Sequence, residues 1–144
     1  MQSLRIVSAL IAGLLAVPPA PGQPRQITDE EVRRVHESAL LIDTHNDVTG
    51  LTVDGFDLAG RNPKGHTDLA RLRQGGVGAV FFAVYVAAGY AGQNRAAHRA
   101  LEVFDSVRRD IAGRRPRDFA LALSAADIEA ARRAGRIAAL IGVE

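Results

Sequence analysis

The chain has 144 residues, 47% apolar and 24% charged, with a formal net charge of +2 and no cysteine. That length suits one modest domain able to bury a core, and so small a positive excess lacks the basic stripe of a nucleic-acid binder, so no nucleic-acid partner is expected. Without cysteine there is no disulfide framework, thiolate metal site or cysteine nucleophile, so any metal must be held by His, Asp and Glu, which favours zinc or another borderline-to-hard divalent ion.

Residues 1–5 form a short basic start, and residues 6–17 an uncharged apolar run. The run is shorter than the ~20 residues needed to cross a bilayer and matches the core of a signal peptide. Small residues follow at Ala20-Pro21-Gly22, so residues 1–22 are predicted as a signal peptide, with an uncleaved anchor as the alternative. Either reading places the remainder outside the cytoplasm: periplasmic, extracellular or membrane-associated. Thr28 with Glu31 forms a capping box that predicts a helix from about residue 29 to 37. Residues 39–42 read as a short buried strand, ending in Asp43-Thr44-His45-Asn46-Asp47. Residues 50–65 carry Gly55, Gly60, Pro63 and Gly65 and read as irregular.

Thr67 is expected to cap a short helix over residues 68–74, which Gly75-Gly76 terminates. Residues 77–86 give the strongest strand, apolar on both faces. A long helix is predicted over residues 93–112, with Ala97, Leu101, Phe104, Val107 and Ile111 on its apolar face. Residues 119–123 are a short strand candidate. Ser124 with Asp127 caps a helix running through Ala134, which Gly135 closes, and residues 137–143 form a fully apolar strand before Glu144. Arg114, Arg115 and Arg117, like Arg132 and Arg133, read as solvated turn and helix faces. Strands alternating with helices imply a parallel sheet, doubly wound or closed as a barrel.

In parallel α/β folds, functional residues gather where strands end at their carboxyl edge. Two predicted strands end in ligand-type residues: His45 and Asp47 after the first, Glu144 after the last. Residues two apart in an extended segment project to one side, so His45 and Asp47 can converge on one ion while Asn46 points elsewhere. The same triplet also fits a capped strand end with a hydrogen-bonded histidine, and Glu144 a solvated carboxylate. Asp43 is either an acceptor for loop N–H groups or a partner of the histidine. His36, His66 and His98 sit on helices or at a helix start and read as surface or capping residues. Tyr85, near the end of the strongest strand, either packs or lines a substrate pocket.

The run Leu41-Ile42-Asp43-Thr44-His45-Asn46-Asp47 resembles the opening metal motif of the membrane (renal) dipeptidase family, the M19 peptidases. The likeness continues through His66-Thr67-Asp68-Leu69, through residues 72–79 and 81–86, at Gln93-Asn94, in residues 99–105 and through residues 134–144. The resemblance implies a metal-dependent (β/α)8 TIM-like barrel with two zinc ions. It also implies that His45 and Asp47 bind one zinc and that Glu144 bridges both, with two further histidines supplied by later strands. Such a site makes hydroxide available at neutral pH for attack on a peptide carbonyl and stabilises the oxyanion. The implied partner is a dipeptide substrate; the resemblance leaves membrane association and a homodimer open.

A barrel of this type takes about 250 residues. Residues 23–144 are therefore expected to be the amino-terminal portion of a barrel domain in a longer parent, the first few β/α units only. Alone, that portion is expected to be inactive and poorly soluble. Two other readings fit: a related barrel amidohydrolase acting on a non-peptide amide or ester, and a non-catalytic exported α/β binding module in which His45, Asp47 and Glu144 are structural.

Overall fold

The computed structural model describes residues 25–144. The predicted signal peptide over residues 1–22 lies outside the described residues. Among the described residues, no helix is long and apolar enough to cross a membrane.

The first helix, α1 (Asp29–Ser38), starts as expected. The Thr28 hydroxyl accepts the Glu31 N–H while the Glu31 carboxylate accepts the Thr28 N–H, so two otherwise orphaned donors are satisfied reciprocally. Strand β1 (Leu41–Asn46) begins and ends later than expected and is not buried. Leu41 is 39% exposed, because β1 lies at one edge of the sheet with a neighbour on one side only. The short helix α2 (Thr49–Thr52) follows at once, where the sequence reads as irregular from residue 50.

Helix α3 (Leu69–Gln74) is capped by Asp68 rather than Thr67: the Asp68 carboxylate accepts the Arg71 N–H at 2.9 Å. The Thr67 hydroxyl is instead engaged by Asn46, 21 residues away. Gly76 closes α3 with φ +67, a left-handed conformation that costs glycine nothing. A Cβ there would also lie 3.1 Å from His36 Nε2, and that imidazole nitrogen stands 2.9 Å from the Gly75 carbonyl oxygen. His36 thus ties α1 to the end of α3.

Strand β2 (Val77–Val84) is the centre of the core. The predicted long helix starts three residues later than expected and changes type partway along. A short helix α4 (Ala88–Gly92) comes first, then Asn94 turns the chain with φ 55, and α5 (Ala96–Asp105) passes into a π-helical stretch, Ser106–Gly113. The Arg114 N–H to Arg109 carbonyl bond, 2.9 Å, spans the five residues that mark the wider turn. The buried face differs from the expected one: Val103, Val107 and Ile111 are inside, whereas Leu101 is 68% exposed. In an α-helix, residues four apart drift by about 40°; the wider turn winds back, so Ile111 returns to the line of Val103.

Strand β3 (Phe119–Leu121) is followed by α6 (Ala125–Arg133) and β4 (Ile137–Val143). The Asp127 carboxylate accepts the N–H of Leu123 and the hydroxyl of Ser124, while the Ser124 hydroxyl accepts the Asp127 N–H. Those bonds hold the Asp127 carboxyl below its ordinary pKa, the Leu123 N–H being the largest cause.

All pairings are parallel, in the order β1-β2-β4-β3. Strand β4 therefore enters between β2 and its own predecessor β3. Side chains alternate across the sheet as the pleat requires. Val80, Phe82, Ile137, Ala139 and Phe119 pack with Leu72, Val107 and Ile111 on one face. Ala79, Ala138 and Leu140 pack with Ile128 and Ala131 on the other. Phe82 and Phe119 meet edge to face at 6.2 Å, a favoured aromatic geometry.

Not every arginine of the clusters is merely solvated. Arg115 grips Asp57 at 2.5 Å across 58 residues, and this hydrogen bond is the main reason the Asp57 carboxyl is held below its usual range. Arg132 donates to the Ser38 carbonyl at 2.8 Å.

Candidate metal centre

The carboxyl ends of β1, β2 and β4 lie together, and the ligand-type residues sit at those ends. Strand β1 is irregular there: Asp43 is level with Val80 and Asn46 with Phe82, so three steps on β1 span two on β2. Such a bulge frees a residue from the ladder and re-aims its side chain; His45 lies within it. On the other side of β2, the Glu144 N–H reaches the Val84 carbonyl at 3.5 Å, extending the register in which Val84 is level with Val143. Tyr85 and Glu144 follow that last pair.

His45, Asp47 and Glu144 are brought to one point. Each offers a ligand atom, and the three atoms lie within 4.8 Å of one another. His45 Nε2 is 3.2 Å from Asp47 Oδ1 and 3.4 Å from Glu144 Oε1, with all three side chains solvent-accessible. Both carboxylates face the same ring nitrogen. One Nε2–H could serve them only by being shared, whereas the tautomer with its proton on Nδ1 would turn one ring lone pair and two carboxylate oxygens toward a common centre. Among the described residues, no lysine or arginine lines the cavity of about 430 Å³ in which they stand; its walls are His45, Asp47, Thr49, Gly50, Tyr85 and Glu144. Two neighbouring carboxylates and an imidazole without a cationic side chain are a donor set that suits a divalent ion. The residues present fit zinc.

The surrounding bonds settle several open alternatives. Asp43 accepts loop donors, from the His45 N–H at 3.2 Å and the Asn46 side-chain amide at 2.6 Å. Asn46 does point away from the centre: its amide also donates to the Thr67 hydroxyl at 3.0 Å, and its oxygen accepts the Val48 N–H at 3.2 Å. Tyr85 is not a packed aromatic; it is 59% exposed and forms part of the cavity wall.

Thr49 was not legible as a wall residue. It is 1% exposed and its hydroxyl donates to the Ala83 carbonyl at 2.5 Å. Neighbouring carbonyls on a strand point to opposite edges, and that of Val84 points to β4, so that of Ala83 points to the β1 side. The last β1–β2 partners are Asn46 and Phe82, and the Thr49 hydroxyl stands where the next strand donor would be. Its partner is 34 residues away, beyond any local sequence signal.

An adjoining groove of about 400 Å³ shares His45 and Asp47 and is walled by Asn62, Gly65, His66 and Thr67. His66, expected to be a surface or capping residue, is exposed within that groove. His98 pairs with Glu102 at 3.1 Å on the surface of α5 and takes no part. The segment 62–68 is held by Asp68 and Arg71. The Arg71 guanidinium donates to Asp68, to the Gly65 carbonyl and to the Asn62 carbonyl. Hydrogen bonds from Arg71, its side chain first, hold the Asp68 carboxyl far below the ordinary carboxylate range. A larger apolar groove of about 820 Å³ runs along α1 past Ile27, Val32 and Val35, but it lies away from the strand ends and gathers no ligand set.

Comparison with known proteins gives the family and the fold. The membrane dipeptidase family, peptidase family M19, matches residues 29–144. The chain is 38% identical over 117 residues to the dipeptidase ataJ of Aspergillus terreus, covering 72% of this chain and 28% of that protein. Its fold resembles that of a metallopeptidase from Rhodobacter sphaeroides, solved with a phosphinate mimic of the dipeptide L-Ala-D-Ala. That likeness has a TM-score of 0.62 at 20% identity and covers 73% of this chain and 38% of the other. The chain thus spans well under half the length of each of these relatives. Its parallel sheet with intervening helices is a partial TIM-like barrel, and the chain belongs to the membrane dipeptidase family, peptidase family M19.

Proposed function

We propose that this chain carries part of the zinc site of an exported dipeptidase, with His45, Asp47 and Glu144 as its metal ligands. The observation that carries the proposal is their convergence within 4.8 Å from the ends of two separate strands, in a cavity that no lysine or arginine among the described residues lines. The family match and the dipeptidase relative support a dipeptide as substrate. Zinc bound here would supply Lewis acidity, making hydroxide available near neutral pH and stabilising the developing oxyanion.

The chain's own residues hold and orient. His45 presents Nε2 to the shared centre, while Asp47 and Glu144 supply negative charge that offsets that of a divalent ion. Glu144 has two carboxylate oxygens, which suits it to bridge a pair of ions, as the family resemblance implies. The phenol of Tyr85 stands on the cavity wall, where it can contact a substrate held above the ligands. Dipeptide hydrolysis is assigned to the whole protein rather than to these strands alone.

The test is metal analysis of the purified protein together with hydrolysis of L-Ala-D-Ala. Zinc is expected to co-purify, and His45→Ala, Asp47→Ala and Glu144→Gln each to lose both metal and turnover. Absence of zinc, with His45→Ala unchanged in activity, would overturn the proposal.

A further inference from the structure

We infer that Asn46 is a positioning residue that locks His45 and Asp47 into a ligand pair, an inference that rests on the metal reading above. The two ligands flank it and are themselves weakly held. His45 lies in the bulge of β1 and Asp47 beyond the strand's end, so the sheet ladder does not fix either one. The Asn46 side chain supplies what the ladder does not. Its amide donates to Asp43 Oδ2 at 2.6 Å, and its oxygen accepts the Val48 N–H at 3.2 Å. Asp43 in turn accepts the His45 N–H at 3.2 Å through its other oxygen. The backbone on both sides of each ligand is therefore tied to one half-buried carboxamide.

The bonding fixes the chemistry required at this position. An ionised carboxylate can only accept and a peptide N–H can only donate, so residue 46 must donate on one side and accept on the other. Asparagine does both at this reach. Aspartate would set a second carboxylate against Asp43, alanine would make neither bond, and glutamine would displace the carboxamide by one methylene. The third bond, to the Thr67 hydroxyl at 3.0 Å, extends the lock to the wall of the adjoining groove. Two side chains with more than half their surface open to solvent would otherwise need to be ordered when an ion binds, at a cost in affinity. Groups that orient metal ligands in this way are typically worth about 10- to 100-fold in affinity.

The experiment measures Zn²⁺ affinity of the purified protein by competition with a chromophoric chelator, alongside the unfolding midpoint. Asn46→Ala is expected to weaken Zn²⁺ binding at least about tenfold, and Asn46→Asp by no less. Ile128→Val, which trims the separate core on the other face of the sheet, controls for lost stability and is expected to keep wild-type affinity. If Asn46→Ala does not yield folded protein, Asn46→Gln makes the same test with the carboxamide retained but displaced. An Asn46 variant that is less stable yet binds Zn²⁺ as tightly as wild type would overturn the inference and leave the metal reading standing. A wild-type protein that takes up no Zn²⁺ would overturn both.

Discussion

Replacing Thr49 by valine tests whether its hydroxyl ends the β1–β2 pairing. The side chain keeps its shape, but the 2.5 Å bond to the Ala83 carbonyl is lost. Both residues are buried, Thr49 at 1% and Ala83 at 3% exposure, so water does not readily replace the donor. A buried acceptor left without a partner costs about 1–3 kcal/mol. With a urea dependence of about 1–2 kcal/mol/M for a domain of this size, the unfolding midpoint should fall by roughly 1 M. Thr49→Ser keeps the oxygen and deletes one buried methyl, an expected loss of about 1 kcal/mol. Urea denaturation followed by circular dichroism decides the matter. Valine is expected to be the less stable of the two; a valine variant as stable as serine or wild type would refute the bond's assigned role.

Three other outcomes are expected. Phe82→Ala removes a fully buried ring and its contact with Phe119, and should cost about 3–5 kcal/mol, read as a large drop in thermal midpoint. The Asp68 carboxyl is harder to protonate in the folded chain, chiefly because Arg71 bonds it. Its contribution to stability is therefore complete above the ordinary aspartate pKa of about 4 and is lost as the pH falls below it. The stability gap between wild type and Asp68→Asn, measured by urea titration, should accordingly narrow from pH 6 to pH 3; a constant gap would contradict the assignment. Finally, Zn²⁺ at a hundredfold excess over its dissociation constant should stabilise the fold by about 2.7 kcal/mol. That rise in melting temperature should vanish with a chelator or in His45→Ala.

What the sequence revealed tracks how local the controlling interactions are. Strand β4 appears at the expected residues because seven consecutive uncharged residues, six of them apolar, lie between Arg136 and Glu144 and leave few alternatives. Helix α1 announces itself through a reciprocal cap three residues apart. The convergence of His45, Asp47 and Glu144 was legible because strand ends are visible in the hydrophobic pattern and ligand types are few; their reading as metal ligands came from the family resemblance. The failures involve distant partners. Thr67 looks like a cap, but Asn46 takes its hydroxyl across 21 residues, leaving the role to Asp68. Strand β1 reads as buried from its apolar start, yet burial depends on how many strands lie beside it. Tyr85 could not be placed from its own neighbourhood, because its surroundings are set by Glu144 and Thr49.

The π-helical stretch has a consequence for how this fold tolerates change in length. Ser106–Gly113 packs one residue more into its rise than an α-helix would need, a spare link in the chain. Removing one exposed residue there, such as Arg108 or Arg109, should let the segment rewind as an α-helix while Val103 and Ile111 keep their places. A deletion in the α-helical Ala96–Asp105 has no such slack and would rotate everything after it. Relatives that differ by a single residue in this region are therefore expected to carry the gap between residues 106 and 113, leaving the strands and the ligands at their ends undisturbed.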